Sequence, residues 1–167
     1  MVEIPITNSI LYYSLLKAKS LGTLNNSILK GEGNLTGFVG EEAFKVFLNN
    51  KDSNNTYNYD IIHNGIRFEV KSKRTSVIPK DYYECSVADY NTKQNCDYYV
   101  FTRVLWHKGE RLPSKVYLMG CYSKEEYYKN SRKLLKGSKD GDNGFIVHAD
   151  CWNMKYSDLN RIETLLT

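Results

Sequence analysis

Tyr57-Asn-Tyr-Asp60-Ile-Ile-His-Asn64-Gly65-Ile-Arg-Phe-Glu69-Val-Lys71-Ser-Lys73-Arg74 is the stretch on which the fold turns. Two β-rich runs flank Asn64-Gly65. An Asn-Gly pair between such runs predicts a hairpin, because both residues tolerate the positive φ of a type I′ turn. The register then sets His63 opposite Ile66, Ile62 opposite Arg67, Ile61 opposite Phe68 and Asp60 opposite Glu69. Opposed residues share a face, with Cβ atoms roughly 4.5–5.5 Å apart. Two carboxylates are therefore expected side by side, with Lys71 on the same face two residues on. Tyr59, Ile61, Phe68 and Val70 collect on the other face as core. Like charges opposed across strands are destabilising, so the pattern asks for a cation. Lys71 supplies one charge, and a divalent ion that favours hard oxygen ligands, Mg²⁺ or Mn²⁺, would supply two more. On these residues alone a second reading stands equally: a solvated strand face carrying the triplet Arg67, Glu69 and Lys71.

Upstream, a helix is expected from about Thr36 to Asn49, with Gly40, Ala43, Phe44, Phe47 and Leu48 as its buried stripe. Glu41 falls at the border of that stripe, where it can reach a site on the sheet. Glu42 points with Lys45 toward water. The plain alternative for Glu41 is a first-turn acid favoured by the helix dipole. The glycines at 31, 33, 37 and 40 do not form a phosphate-cradling loop by pattern. No strand precedes them, the spacing is not Gly-x-Gly-x-x-Gly, and no Lys-Ser/Thr follows.

The rest of the chain reads as follows. Residues 8–20 form a helix capped by Asn8 or Thr7, with Ile10, Leu11, Leu15 and Leu16 as its stripe and Gly22 as its stop. After Pro79 a helix is expected over Asp81 to Asn95, with Val87 and Ala88 inward and Lys93 and Gln94 near its end. Cys96 to Leu105 is a nearly continuous apolar run, hence a central strand. It joins the strand Lys115 to Cys121 as a hairpin. Ser123 and Glu126 make a capping box that opens a helix to about Leu135. Phe145 to His148 reads as a short strand, and Ser157 as the cap of a last helix, Asp158 to Leu166. The acidic loop 139–144 lacks the glutamate that would complete a calcium loop.

With 167 residues, 41% hydrophobic and 25% charged, the chain is expected to be one soluble domain, 1–167. No run is long enough for a membrane span and no signal-peptide pattern opens the chain. The four cysteines read as reduced thiols of a cytoplasmic protein. His148 and Cys151 have no partner pair at zinc spacing. The net charge of +4 is compatible with nucleic acid. Its distribution says more: Lys71, Lys73, Arg74 and Lys80 form one basic group, and Lys129, Arg132, Lys133, Lys136 and Lys139 another. A solvated face is the competing reading for each.

The order is a helix with an inward Glu, an acidic hairpin, a helix ending near a Gln, then an apolar strand. It resembles the core of the PD-(D/E)XK nuclease superfamily. The resemblance rests on Gly37-Phe-Val-Gly40-Glu41, Tyr59-Asp60-Ile61, Phe68-Glu69-Val70-Lys71, and Gln94 before Asp97-Tyr-Tyr-Val-Phe101. It runs from about Gly37 to Val104, and departs where Asn58-Tyr59 stands in place of a proline before the Asp. It implies an α/β fold with a restriction-endonuclease-like αβββαβ core over about 34–122. A central mixed β-sheet would be flanked by helices, with extra N- and C-terminal helices. It further implies a metal-dependent DNA endonuclease of resolvase, restriction or homing type. Asp60, Glu69 and the backbone carbonyl of Val70 would hold Mg²⁺ (or Mn²⁺). Lys71 would orient the attacking water or stabilise developing charge, and Glu41, rather than Glu42, would bind a metal-coordinated water or a second ion. Gln94 or Lys93 would contact substrate or nucleophile, and Lys73 and Arg74 neighbouring phosphates. A homodimer is expected by analogy. The Asn-, Tyr- and Lys-heavy composition suggests an AT-rich genome, such as a phage or mobile element acting in a host-cell cytoplasm. Two competing readings are a catalytically inactive nucleic-acid-binding module of the same fold, and a nucleotide or small-molecule enzyme using the glycines before Phe38.

Overall fold

A computed structural model describes residues 1–21, 34–50, 56–141 and 144–166. The expected stop at Gly22, the turn-rich connection 23–33 and most of the polar loop after Asn49 lie outside the described residues. The chain forms β1 (Val2–Pro5), α1 (Asn8–Leu21), α2 (Asn34–Leu48), β2 (Ile61–His63), β3 (Ile66–Thr75) and β4 (Glu84–Ala88). It continues with β5 (Tyr98–Leu105), β6 (Lys115–Ser123), α3 (Lys124–Asn130), β7 (Arg132–Leu134) and β8 (Cys151–Lys155). The architecture is mixed α/β. One mixed sheet has the order β1-β6-β5-β3-β2, and a second, smaller one the order β4-β8-β7.

Asn64 and Gly65 take φ of 51° and 80°, both in the left-handed region that a type I′ turn requires. The resulting register pairs Ile61 with Phe68, Ile62 with Arg67 and His63 with Ile66. β5 lies at the centre of its sheet because its side chains are apolar toward both faces. It runs parallel to β3 and antiparallel to β6.

A parallel pair needs a crossover between its strands. Here the crossover is β4 and a 3₁₀ turn over Asp89–Lys93, which corrects the helix expected over 81–95. The physical reason is a period of two: Cys85 and Val87 are 1% and 0% exposed, and β4 pairs along its length with β8. The expected helix to Leu135 ends at Asn130, since residues 132–134 also pair with β8. Of the strand expected at 145–148 there is one isolated bridge, Lys139 with Ile146. The last helix is two 3₁₀ turns, Tyr156–Asp158 and Ile162–Leu166, and Ser157 caps no helix.

Each face of the larger sheet buries a core. On one face Val39, Ala43, Phe44 and Leu48 of α2 and Ile10 of α1 cover Ile61, Phe68, Val70, Val100 and Val104. On the other, Tyr99, Phe101 and Tyr117 pack with Cys85, Tyr127, Met154 and Tyr156. Tyr59 joins this second core, not that of Ile61. Each fully buried Phe or Val side chain contributes about 1.5–3 kcal/mol. α2 reaches the sheet closely at Gly40, where a Cβ would lie 2.0 Å from Ser72 Oγ and 2.7 Å from Thr102 Oγ1.

α1 is capped by Thr7, whose Oγ1 accepts the Ile10 N–H at 3.2 Å. Its inward stripe keeps Ile10 of the expected set but adds Ser14, while Leu15 and Leu16 are 44% and 48% exposed. No helix among the described residues is long and apolar enough to cross a membrane.

Candidate active site

β2 stops while β3 runs on to Thr75, and this mismatch makes the site. In an extended strand the N–H and C=O of one residue point to the same neighbour, and successive residues alternate. The Arg67 carbonyl accepts from Asp97 N–H, and the Thr75 carbonyl from Trp106 N–H, each at 2.8 Å. Odd-numbered residues of β3 therefore give their backbone to the β5 side, and Phe68, Val70 and Ser72 give theirs to the outer edge. There the Phe68 carbonyl accepts Asp60 N–H at 2.9 Å. The Asp60 carboxylate, through Oδ2, accepts Val70 N–H at 2.8 Å.

Asp60 thus sits just beyond the ladder rather than as a further pair within it. Its carboxylate takes the place that the next backbone carbonyl of β2 would fill. The expected picture of two acids level on one strand face is corrected to three acids around one strand edge. Asp60 lies on the edge, Glu69 projects from the face turned away from α2, and Glu41 comes from α2. The Val70 carbonyl shares the edge with the N–H that meets Asp60.

Glu69, Lys71 and Gln94 form a closed set. Lys71 Nζ donates to Glu69 Oε1 at 2.7 Å and to Gln94 Oε1 at 3.0 Å. Gln94 Nε2 donates to the same Glu69 oxygen at 2.8 Å and to the Tyr57 carbonyl at 2.9 Å. The lysine ammonium also lies 5.9 Å from the centroid of the Tyr99 ring, within the range of a cation–π attraction. Glu69 Oε2 is buried with no hydrogen-bond partner. Leaving such an acceptor unmatched costs about 1–3 kcal/mol.

Glu41 is 7% exposed, and its Oε2 accepts from Lys17 Nζ at 3.2 Å. Lys17 also pairs with Glu42 at 2.9 Å, and Lys45 with Glu42 at 3.3 Å. Lys17 is a site residue that the sequence reading missed. The available signal was its place on the stripe of Ile10 and Ser14, at i, i+4 and i+7, where a lysine requires a partner.

Burial, reinforced by the charges of Glu41 and Glu69, holds the Asp60 carboxyl well above the usual carboxylate range. The Val70 N–H and Lys71 oppose that rise. Burial also raises Glu41; Lys17 opposes this, while Glu69 and Glu42 add to it. Fully ionised, the four acids Glu41, Glu42, Asp60 and Glu69 face three paired lysines, Lys17, Lys45 and Lys71. One negative charge is left over, to be met by a proton or a cation. Among the described residues no group of three or more His, Cys, Asp or Glu side chains is already arranged to hold a metal ion. The donor chemistry nevertheless suits a hard cation: the unpartnered Glu69 Oε2, the Asp60 carboxylate and the edge-facing Val70 carbonyl are all oxygens.

A carboxyl with a higher pKa folded than unfolded binds more protons in the folded state. Its contribution is complete below the unfolded value and is lost as pH rises through the folded one. Thermal unfolding in EDTA is therefore expected to show Tm falling from pH 5 to pH 7.5. Asp60→Asn should flatten that slope, and Mn²⁺ at pH 7.5 should restore the lost stability. A wild-type Tm that climbs over this interval contradicts the assignment.

Lys73 shares the Glu69–Lys71 face. Arg74 is exposed, its guanidinium 4.3 Å from the centroid of the Trp106 ring. Lys93 is exposed on the 3₁₀ turn and, among the described residues, makes no hydrogen bond or ion pair; Gln94 is the one of the two that joins the site. In the second basic group, Arg132 is bound by Glu84 and Asp140, and Lys133 by Asp89. No protein-family model matches this sequence, and comparison with curated proteins and with solved structures finds no match.

Proposed function

We propose that this chain is a metal-dependent nuclease that hydrolyses phosphodiester bonds of DNA. One observation carries the reading: three mutually interacting carboxylates, one with a buried unpartnered oxygen, meet beside a lysine ammonium at the unpaired edge of a strand. A surface that only binds phosphate gains nothing from such acids. The restriction-endonuclease-like core is part of the same proposal. α2, β2, β3 and β5 follow one another as in that core, but two strands of the larger sheet rather than three stand between α2 and the crossover, and β4 with a 3₁₀ turn stands where that core has a helix.

Glu69 Oε2, the Asp60 carboxylate and the Val70 carbonyl would hold a divalent cation. Such an ion, when bound, polarises a phosphate and lowers the pKa of an attacking water. Lys71 contributes a charged donor beside Glu69, placed to stabilise negative charge as it develops on a phosphoryl oxygen. Gln94 fixes the Lys71 rotamer by accepting through Oε1 and orients Glu69 by donating through Nε2. Glu41, with Lys17 as its counter-charge, closes the acidic set from the helix side.

The test is incubation of the pure protein with supercoiled plasmid and with a branched DNA junction, in Mg²⁺, Mn²⁺ or EDTA. Cleavage that requires the metal is the expected result. A second reading, a binding module without catalysis, draws on the salt bridge that already occupies Glu41. Binding with no cut in any DNA or RNA form would establish that one instead.

A further inference from the structure

Beyond Lys71, the face of β3 turned away from α2 opens into a cavity of about 130 Å³. Lys71 and Lys73 line it from β3, Ser86 and Tyr156 line it opposite, and Phe101 and Cys85 supply apolar wall. Lys71 is paired with Glu69, but the charge of Lys73 is unmatched. Among the described residues the Lys73 side chain makes no hydrogen bond or ion pair. Arg103, opposite Lys73 in the parallel ladder, donates among the described residues to neutral oxygens. Its Nε reaches Tyr156 Oη at 2.6 Å and its Nη2 the Glu84 carbonyl at 3.1 Å. The nearby acid, Glu84, turns its carboxylate to Arg132 at 2.6 Å and to Asn153 at 3.1 Å. Burial and the charge of Arg103 together lower the Lys73 pKa to about 8. Two cations side by side without an acid are unfavourable unless an anion joins them.

We propose that this cavity is an oxyanion pocket that receives a backbone phosphate of the nucleic acid, next to the phosphate that reacts. The proposal rests on the nuclease reading, because it is Lys71 that joins the two places: it lines the cavity and bonds Glu69. Lys73 lies about 6–7 Å farther along the same strand face. A lysine ammonium is a point-charge phosphate binder with three donors. The apolar wall lowers the local dielectric and strengthens that attraction. The space holds more than one water molecule, so an oxyanion can replace solvent rather than displace side chains.

The experiment uses the full chain in EDTA, so that it does not depend on cleavage. An amine-reactive reagent is applied with and without inorganic phosphate, and modification is mapped by peptide mass spectrometry. Phosphate is expected to slow modification of Lys73 and leave that of exposed Lys108 unchanged. In parallel, DNA affinity is measured against salt. Lys73→Met is expected to reduce the log–log slope by about 1, Lys73→Arg to retain it, and Lys108→Met to leave it unaltered. Protection with an unchanged slope would show an anion pocket that does not serve nucleic acid, and would overturn the proposal. Absence of both effects would overturn it too, whereas metal-dependent cleavage by the unmodified chain would still stand for the nuclease reading. Protection and a reduced slope in a chain that cuts nothing would support the pocket and reject the catalysis.

Discussion

Lys71→Ala is expected to reduce metal-dependent cleavage about 10²–10³-fold, the usual cost of removing one preorganised donor from a developing oxyanion. The loss should fall on the rate of the chemical step rather than on affinity. Lys71 sits inside the Glu69–Gln94 set, and Lys73 and Arg74 remain to meet the backbone. Removing the ammonium also strips Glu69 Oε1 of its closest donor, leaving Gln94 as that oxygen's partner. Lys71→Gln is the useful companion: it keeps a hydrogen-bond donor without the charge. Single-turnover assays with both variants, alongside DNA binding in EDTA, separate the two contributions. Cleavage at the wild-type rate in Lys71→Ala would remove this lysine, and with it the site, from the mechanism.

Gly40→Ala is expected to be damaging for so small a substitution. The new methyl would meet Ser72 Oγ at 2.0 Å and Thr102 Oγ1 at 2.7 Å, so α2 must lift from the sheet or those side chains must turn. Thr102 donates to Ser72 at 2.8 Å, and turning either breaks that bond. Overpacking of this kind costs about 1–3 kcal/mol, or roughly 2–12 °C in Tm for a domain of this size. Ser72→Ala removes the nearest atom, so the double variant should recover part of the loss, and a thermal-unfolding cycle measures the coupling. Glu41 is the next residue on α2. Any lift of the helix therefore moves its carboxylate from Asp60, and cleavage should fall further than stability alone explains. A Tm within 1 °C of wild type would show that α2 is free to yield at Gly40.

Local chemistry made part of this legible before any coordinates. Asn64-Gly65 fixed a turn type and, with it, three residue pairs. The apolar run from Cys96 to Leu105 marked the central strand, and Ser123 with Glu126 marked the start of α3, where Ser123 Oγ accepts Glu126 N–H at 3.3 Å. Non-local pairing was not legible. Glu84–Ala88 becomes a strand because Cys151–Lys155 lies beside it, and nothing within residues 81–95 records that partner. The same strand β8 cuts α3 short by pairing with Arg132–Leu134. At the site, Asp60, Glu69 and Lys71 were readable from spacing, and Gln94, with Lys93 as its alternative, from the family resemblance alone. Lys17 was not, since its acids stand on another helix and only its place on a buried stripe set it apart. The departure of Asp60 from the ladder depends on where β2 ends, which alternation alone does not fix.

The overhang of β3 also bears on edge-to-edge association. From Ser72 onward its outer rim carries peptide groups that no described strand engages, a template on which another extended chain can add. Lys71, Lys73 and Arg74 put three like charges within four residues of that rim. A second copy laying its own rim alongside would oppose cation to cation. On the proposed function these same cations would also discourage edge-to-edge growth, and a bound polyanion would shield the rim.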